Sequence, residues 1–365
     1  MHIAIDARMI LHSGIGTYTK NLLANLFDID KTNAYALLGR EKDLSKYVQK
    51  PNVSITEFHS PIYSISEQVI EPLKLWNVEF LHCPHYNIPV VYEGEMVVTV
   101  HDLIHLIFPQ FLKHRAAYFY AKSLFKLMAV RAKKIIAVSE STKTDIINYL
   151  GVKEDNVVVI YNGVSEIFKR DVSQEECTKL RDKLNLRAKY ILNISNMKAH
   201  KNIETLIEAY SKLRKKGIEQ KLLLAGGEKE RVEELQVYAE QFNVAEDIIF
   251  IQNIDFEDLP VLYRICDVFV FPSLYEGFGL PLVEAMASRV PVVTSNVSSM
   301  PEVVGNAGIT IEPKDADSLA EAIEKVVSDS KLRENMVREG IKQIEKFNWQ
   351  DTAKKTLEVY KKEFI

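Results

Sequence analysis

Cysteine is scarce. Cys83, Cys177 and Cys266 are scattered singly over 365 residues. That excludes a disulfide frame, and no CxxC pair or Cys/His cluster suggests a structural metal, so a reducing compartment is expected. Neither charge sign dominates: 46 basic against 50 acidic side chains leave a formal net charge of −4. Such a balance offers no electrostatic footprint for nucleic acid. No apolar run reaches the roughly 18 residues that span a bilayer. The opening Met1-His2-Ile3-Ala4-Ile5-Asp6 has no basic region followed by a long apolar stretch. It reads as a strand starting at once, not as a signal peptide. Low-complexity tracts and short repeats are also missing. The location these absences imply is the cytoplasm.

What is present is an alternation. Hydrophobic content of 47% and charged content of 26% suit a folded chain long enough for two cores. Short apolar runs predict strands at 2–5, 34–38, 53–58, 79–83, 96–100, 134–138 and 157–161, then at 190–194, 221–225, 248–251, 268–271, 290–294 and 308–311. Amphipathic stretches predict helices at 15–27, 65–76, 111–132 and 141–150, then at 203–216, 230–242, 256–266, 280–288 and 318–327. Strands spaced by helices mean parallel sheets covered on both faces. The fold class is therefore α/β, with two doubly wound, Rossmann-like domains facing a cleft. Residues 1–168 form the first and 169–349 the second, the boundary lying in the polar stretch 165–184; the charged helical pattern 350–365 closes the chain. Ligand sites in such folds lie on the loops that follow strands.

Four motifs lie on such loops. Phe271 to Arg289 reads as strand, glycine loop and helix, with Gly277 and Gly279 around Phe278 and with Pro281 in the first helical turn. Unpaired N–H groups and the dipole make a helix start of this kind an anion site. Glu276 before the helix and Glu284 in its first turn suit the hydroxyls of a phosphorylated ligand; an acid/base pair of a glycoside hydrolase is the competing reading. Asp6-Ala7-Arg8 with Gly14-Ile15-Gly16 follows the first strand. Its glycines let a phosphate or sugar approach, or simply make a tight turn. Thr19 breaks the GxGxxG dinucleotide fingerprint. His101-Asp102 ends a strand, where a His can bond a hydroxyl, shuttle a proton or merely cap the strand. A His82/His85/His101 metal site lacks a carboxylate or Cys partner at ligand spacing. Finally Ser195-Asn196-Met197-Lys198-Ala199-His200-Lys201-Asn202 joins a strand to a helix; a cation there would neutralise a diphosphate, Lys201 being nearest the helix start with Lys198 and His200 as spares, or the run is a solvated basic turn.

Two weaker patterns complete the reading. Asp28-Ile29-Asp30 and Asp315-Ala316-Asp317 resemble metal–diphosphate runs, but helix capping explains both. Residues 111–134 mix eight basic residues with aromatics and contain no acid. That pattern fits an anionic bilayer surface at the inner face of the plasma membrane, or an ordinary helix covering the sheet with lysines in solvent.

Glu276-Gly277-Phe278-Gly279-Leu280-Pro281-Leu282-Val283-Glu284 resembles the signature of glycosyltransferase family 4, retaining enzymes of the two-domain GT-B fold. Residues 132–147, 157–164, Ala225-Gly226-Gly227 and Ser298–Val304 also resemble family segments. Asp6-Ala7-Arg8 with Gly14, Gly16 and Tyr18 is similar to the bacterial mannosyltransferase branch that builds O-antigen and related polysaccharides. The resemblance implies a hexosyltransferase using GDP-mannose or another nucleotide sugar, with no metal or other cofactor. Glu284 would hold the ribose, Glu276 the donor sugar and Lys201 the diphosphate. Ser195 and Asn196 would lie at the donor, and the backbone of Gly277, Phe278, Gly279 and Leu280 would meet sugar and phosphate. Gly14 would approach the diphosphate and His101 the transferred sugar. The terminal helix would return to the first domain, which takes a saccharide or lipid-linked acceptor. A UDP-sugar donor is the alternative within the class. A non-catalytic two-domain sugar-binding protein is the alternative outside it.

Overall fold

A computed structural model describes residues 1–69, 71–75, 77–112 and 114–364. Four positions of the expected helices, Ile70, Trp76, Lys113 and Ile365, fall outside the described residues. Two compact units share the chain. The first comprises Met1–Gly163 with the segment from Asn348, and the second comprises Val164–Phe347. Residues 164–168 thus lie in the second unit, and Asn348 and Trp349 in the first, unlike the ranges read from sequence.

The first unit holds β1 (His2–Asp6), β2 (Ala34–Gly39), β3 (Val53–Glu57), β4 (Phe80–Cys83), β5 (Glu95–Val100), β6 (Lys134–Ala137) and β7 (Val157–Val159). They run in the order β3-β2-β1-β4-β5-β6-β7, parallel throughout. The second holds β8 (Tyr190–Ile194), β9 (Lys221–Ala225), β10 (Ile248–Ile251), β11 (Val268–Phe271), β12 (Val292–Ser295) and β13 (Gly308–Ile311), ordered β10-β9-β8-β11-β12-β13 and again parallel. Central strands are apolar on both faces because helices cover both. Val268, Phe269, Val270 and Phe271 are all fully buried. The helix Ile203–Lys215 turns Ile203, Leu206, Ile207, Tyr210 and Leu213 into that core. Each such burial contributes roughly 1.5–3 kcal/mol.

In each unit the chain starts mid-sheet, moves to one edge and crosses back. The strand order therefore reverses between β1 and β4, and again between β8 and β11. A crevice opens outside the carboxyl ends of the strands at such a reversal.

Some elements differ from expectation. Within 165–184 the helix Gln174–Lys183 forms, nucleated by a capping box between Ser173 and Glu176. Only Cys177 and Leu180 of it are buried, too few to show as a period. The helix Ser330–Ile344 starts on the Asp329 cap and is similarly polar. β12 begins at Val292, not at Val290, because Pro291 has no N–H to give to the ladder. The helix expected at 111–132 runs only over Arg115–Arg131, after a short 3-10 turn at Pro109–Phe111. Asp315 accepts hydrogen bonds from the N–H groups of Asp317 and Ser318, so that acidic run is a cap.

The helix Trp349–Phe364 packs in the first unit against the helix Ser13–Ile29. It buries Trp349, Ala353, Leu357 and Tyr360. Thr352 Oγ1 donates to the Tyr161 carbonyl at 2.7 Å, and Phe364 stacks on Phe80 at 3.9 Å.

Candidate active site

In the second unit the two loops at the strand reversal follow β8 and β11, and the chain ties them together. Ser195 Oγ accepts from Met197 N–H at 3.2 Å and donates to Asn193 Oδ1 at 3.0 Å. Asn196 Oδ1 accepts from Lys198 N–H at 3.2 Å. Both side chains thus shape the turn itself. Gly226 has φ +101°, and a side chain there would overlap the Ser195 carbonyl, so the residue after β9 must be glycine for this turn to pass. A single 3-10 turn, Ala199–Lys201, leads to Asn202 in the left-handed region. Asn202 Nδ2 donates to the carbonyl of Pro272 at 3.0 Å and to that of Pro313. Leu274 N–H donates to the His200 carbonyl at 2.8 Å.

These bonds set Lys201 opposite Glu276. Lys201 Nζ lies 2.6 Å from Glu276 Oε1, with each side chain only 13% exposed, and 5.2 Å above the Phe271 ring. The backbone of Glu276 is clamped as well. Its N–H donates to Ser298 Oγ at 3.0 Å, and its carbonyl accepts from Ser299 Oγ at 2.9 Å.

The helix Leu280–Ala287 is capped by Gly279 at φ 90° and carries Pro281 near its start. Because its first residue is Leu280, Glu284 is the fifth residue. It lies in the second turn, not the first, and there is no acid in the first turn. The side chain is partly exposed. Tyr263 Oη donates to Glu284 Oε2 at 3.1 Å. Burial lifts the carboxyl to about 7, against the lowering effect of that hydrogen bond.

In the first unit Gly14 is the second residue of the helix Ser13–Ile29. A Cβ at Gly14 would meet nothing within 4 Å, whereas one at Gly16 would strike the Ile10 carbonyl. The two glycines therefore divide: Gly14 leaves open space and Gly16 permits packing. His101 follows β5. Its ring meets the edge of Tyr18 at 4.9 Å, and Nε2 lies 3.0 Å from the Pro84 carbonyl. Burial pulls its pKa down to about 4, against the raising effect of the Pro84 bond. At neutral pH the ring is uncharged, Nε2 carries the proton given to Pro84, and Nδ1 is left as an acceptor. Asp102 Oδ1 accepts from Ile104 N–H at 2.9 Å and caps the next turn.

Two further histidines are held by protein partners. His82 is held between Tyr360 and Thr99, one at each ring nitrogen, and burial pulls its pKa down to about 3. His105 Nδ1 is bonded to Tyr86 Oη at 2.9 Å. Among the described residues no group of three or more His, Cys, Asp or Glu is arranged to hold a metal ion.

Sequence reasoning gave no role to Tyr263, Ser298 or Ser299, and read Asn202 only as the end of the basic loop. Asn202 carried a signal, since it stands between the loop cation and a helix start. Ser298 and Ser299 lie in a segment noted only for resemblance. Nothing local marks Tyr263.

Comparison with known proteins places these observations. Residues 178–343 match the model of glycosyl transferases group 1, and residues 13–166 match the model of glycosyltransferase family 4. The chain is 33% identical over 282 residues to the O-antigen chain mannosyltransferase B of Escherichia coli, covering 77% of this chain and 73% of that one. It is 31% identical over 321 residues to the serotype-specific mannosyltransferase WbdA of Escherichia coli, covering 84% of this chain but only 36% of that longer protein. Among solved structures, Anabaena Alr3699/HepE in complex with UDP-glucose superposes with a TM-score of 0.79 at 19% identity, over 99% of this chain and 100% of that one. That likeness extends over both doubly wound units and is a likeness of fold.

Proposed function

The chain belongs to glycosyltransferase family 4, and on that premise we propose that it moves mannose from GDP-mannose to a saccharide or lipid-linked saccharide hydroxyl in cell-surface polysaccharide synthesis, with retention at the anomeric carbon. The Lys201–Glu276 pair carries this reading. It lies at the strand reversal of the second unit, and its glutamate leads into the glycine loop before the helix Leu280–Ala287. A diphosphate takes Lys201 as its counter-ion and releases Glu276 to accept hydrogen bonds from sugar hydroxyls. The helix start adds backbone N–H groups and its dipole. Glu284, one turn further, takes the ribose hydroxyls.

In the proposed reaction the bond from the anomeric carbon to the diphosphate oxygen breaks. The acceptor oxygen bonds on the same face, and its proton passes to the departing diphosphate. Lys201 and the helix start stabilise the charge that develops there. In the first unit, His101 Nδ1 stands as an acceptor for a hydroxyl, and Gly14 leaves open space at its helix start. Preference for mannose rests on the mannosyltransferases among the relatives.

Membrane contact belongs to the same proposal. The helix Arg115–Arg131 buries Ala121, Leu124, Phe125 and Met128 and exposes Phe119 and Val130 beside Lys122 and Lys126. Among the described residues no helix is long and apolar enough to cross a membrane. Co-sedimentation with anionic but not zwitterionic vesicles is the expected result; equal recovery from both removes the contact.

The function is tested by a panel of sugar nucleotides scored for slow hydrolysis without acceptor and for transfer to mannosides. GDP-mannose should be consumed fastest. Consumption of a UDP-sugar alone would move the reading to a glucosyl or N-acetylglucosaminyl donor, and consumption of none would overturn it.

A further inference from the structure

Tyr18, His82, Thr99, Thr356 and Tyr360 of the first unit are polar side chains that are fully buried. They are joined in series. Tyr360 Oη meets His82 Nδ1, His82 Nε2 lies 2.9 Å from Thr99 Oγ1, and Thr99 Oγ1 lies 3.0 Å from Tyr18 Oη. Tyr18 Oη also bonds the Thr356 side chain. Thr356 Oγ1 in turn donates to the Thr352 carbonyl at 2.7 Å. The series therefore leaves the helix Trp349–Phe364 at Tyr360, passes through two strands and the helix Ser13–Ile29, and returns to the terminal helix at Thr356.

Counting protons gives the series one direction. Each hydroxyl has one proton to donate, and burial keeps His82 neutral with a single N–H. Thr356 gives its proton to Thr352, so it accepts from Tyr18. Tyr18 then accepts from Thr99, and Thr99 accepts from His82 Nε2. His82 Nδ1 is left to accept from Tyr360. Every proton is used once and every link is made. Reversing any link strands a buried donor without an acceptor. Bonds aligned in this way also polarise and strengthen one another.

What the series holds is the Tyr18 ring. That ring meets the His101 ring at 4.9 Å with the planes 80° apart, and Trp349 of the terminal helix stands edge-on to it at 6.1 Å. The Pro84 carbonyl fixes His101 at Nε2. A ring held at one atom still tilts about it. The T-shaped contact with Tyr18 limits that tilt, so the bonds that hold the Tyr18 hydroxyl also set where His101 Nδ1 points. We infer that Tyr360 and Thr356 of the terminal helix are positioning residues for His101, acting on its ring through Tyr18. The effect on the ring stands by itself. The effect on turnover rests on the proposed reaction, in which Nδ1 accepts from a hydroxyl.

The test reads the His101 ring directly. Long-range proton–nitrogen NMR spectra are recorded on the full chain labelled at the histidine ring nitrogens, and the His101 signals are assigned by their loss in His101→Gln. Tyr360→Phe removes one hydroxyl and frees His82 to hold its proton on either nitrogen. Thr356→Val removes the acceptor of the Tyr18 proton, and Thr356→Ser restores it. Val359→Ala trims the same helix at a buried position outside the series. The His101 signals should move in Tyr360→Phe and Thr356→Val and keep their wild-type positions in Thr356→Ser and Val359→Ala. With the sugar nucleotide that the wild type turns over fastest, kcat should fall about tenfold in the first two variants at a donor KM within about twofold, since a 1 Å misplacement costs ~10²-fold. Unmoved His101 signals in either of those variants, or equal movement in Val359→Ala, overturn the inference. If Tyr360→Phe does not fold, Thr356→Val against Thr356→Ser decides alone. Moved signals with native kcat leave the positioning standing and sink the role of His101 Nδ1 in the proposed reaction.

Discussion

Lys201 and Glu276 face each other at 2.6 Å with little exposure, so each is placed to exchange its partner for a ligand. Lys201→Ala or Glu276→Ala should lower turnover roughly 10²–10³-fold, the scale for losing one preorganised charge at a developing anion. Both variants should stay folded, because Asn202, Ser298 and Ser299 hold the loops independently. Steady-state rates with melting curves check this, and near-native turnover in both would remove the assignment. Glu284 allows a pH prediction. Its folded pKa of about 7 exceeds the unfolded value of about 4.3. The folded chain therefore keeps a proton that the unfolded chain releases. The stability this contributes is fully present below pH about 4 and is lost as pH rises through about 7. Glu284→Gln should flatten the decline in melting temperature between about pH 5 and pH 8. Nucleotide binding should tighten over the upper part of that window in the wild type alone, since ribose hydroxyls donate to an ionised carboxylate. Calorimetry at pH 6 and at pH 8 measures it; equal affinities would argue against the ribose role. At this scale the two glutamates stood out because their spacing about a glycine loop is local, and Lys201 because it ends a separate basic loop before a helix start. Tyr263 was not, since it reaches Glu284 across 21 residues, nor was the Asn202 bond to Pro272 across 70.

Elements carry the next constraint. Gly14 and Gly16 stand in one turn of one helix yet differ in what surrounds them. Gly14→Ala should leave the melting temperature within about 2 °C, since its Cβ meets nothing and helix propensity favours Ala by about 1 kcal/mol. It should raise the KM for the sugar nucleotide if the space is used by the donor. Gly16→Ala drives a methyl into the Ile10 carbonyl and should cost about 1–3 kcal/mol in urea melts. Equal effects of the two would mean that the open space over Gly14 has no use. A GxG pattern cannot tell these glycines apart, because the difference is made by Ile10 turning back over the helix. The thirteen strands were legible with shifts of one or two residues at their ends, because strands buried on both faces read as unbroken apolar runs. The helices Gln174–Lys183 and Ser330–Ile344 were not, since each buries too narrow a stripe.

Across the whole molecule, two independent cores make a sharp prediction about fragments. Residues 164–347 expressed alone should fold and bind nucleotide, because the unit holds its own six-stranded sheet and both site loops. Residues 1–163 alone should aggregate, because the helix Trp349–Phe364 buries Trp349 and Tyr360 among residues of that unit. Circular dichroism and size exclusion on the two fragments decide it; a soluble, folded 1–163 would show that the terminal helix is dispensable. The sequence by itself determined the fold class, the alternation that makes two parallel sheets, the family, and the glycine loop between two glutamates. These depend on period, turn chemistry and short-range spacing, all carried by neighbouring residues. Only the tertiary structure decided that Glu284 faces Tyr263 with its pKa raised, that neutral His101 donates a hydrogen bond to the Pro84 carbonyl, and that Asp6 and Glu67 share one guanidinium, that of Arg8. Burial and partner choice are set by chain crossings that bring distant residues within bonding distance. No local pattern encodes them.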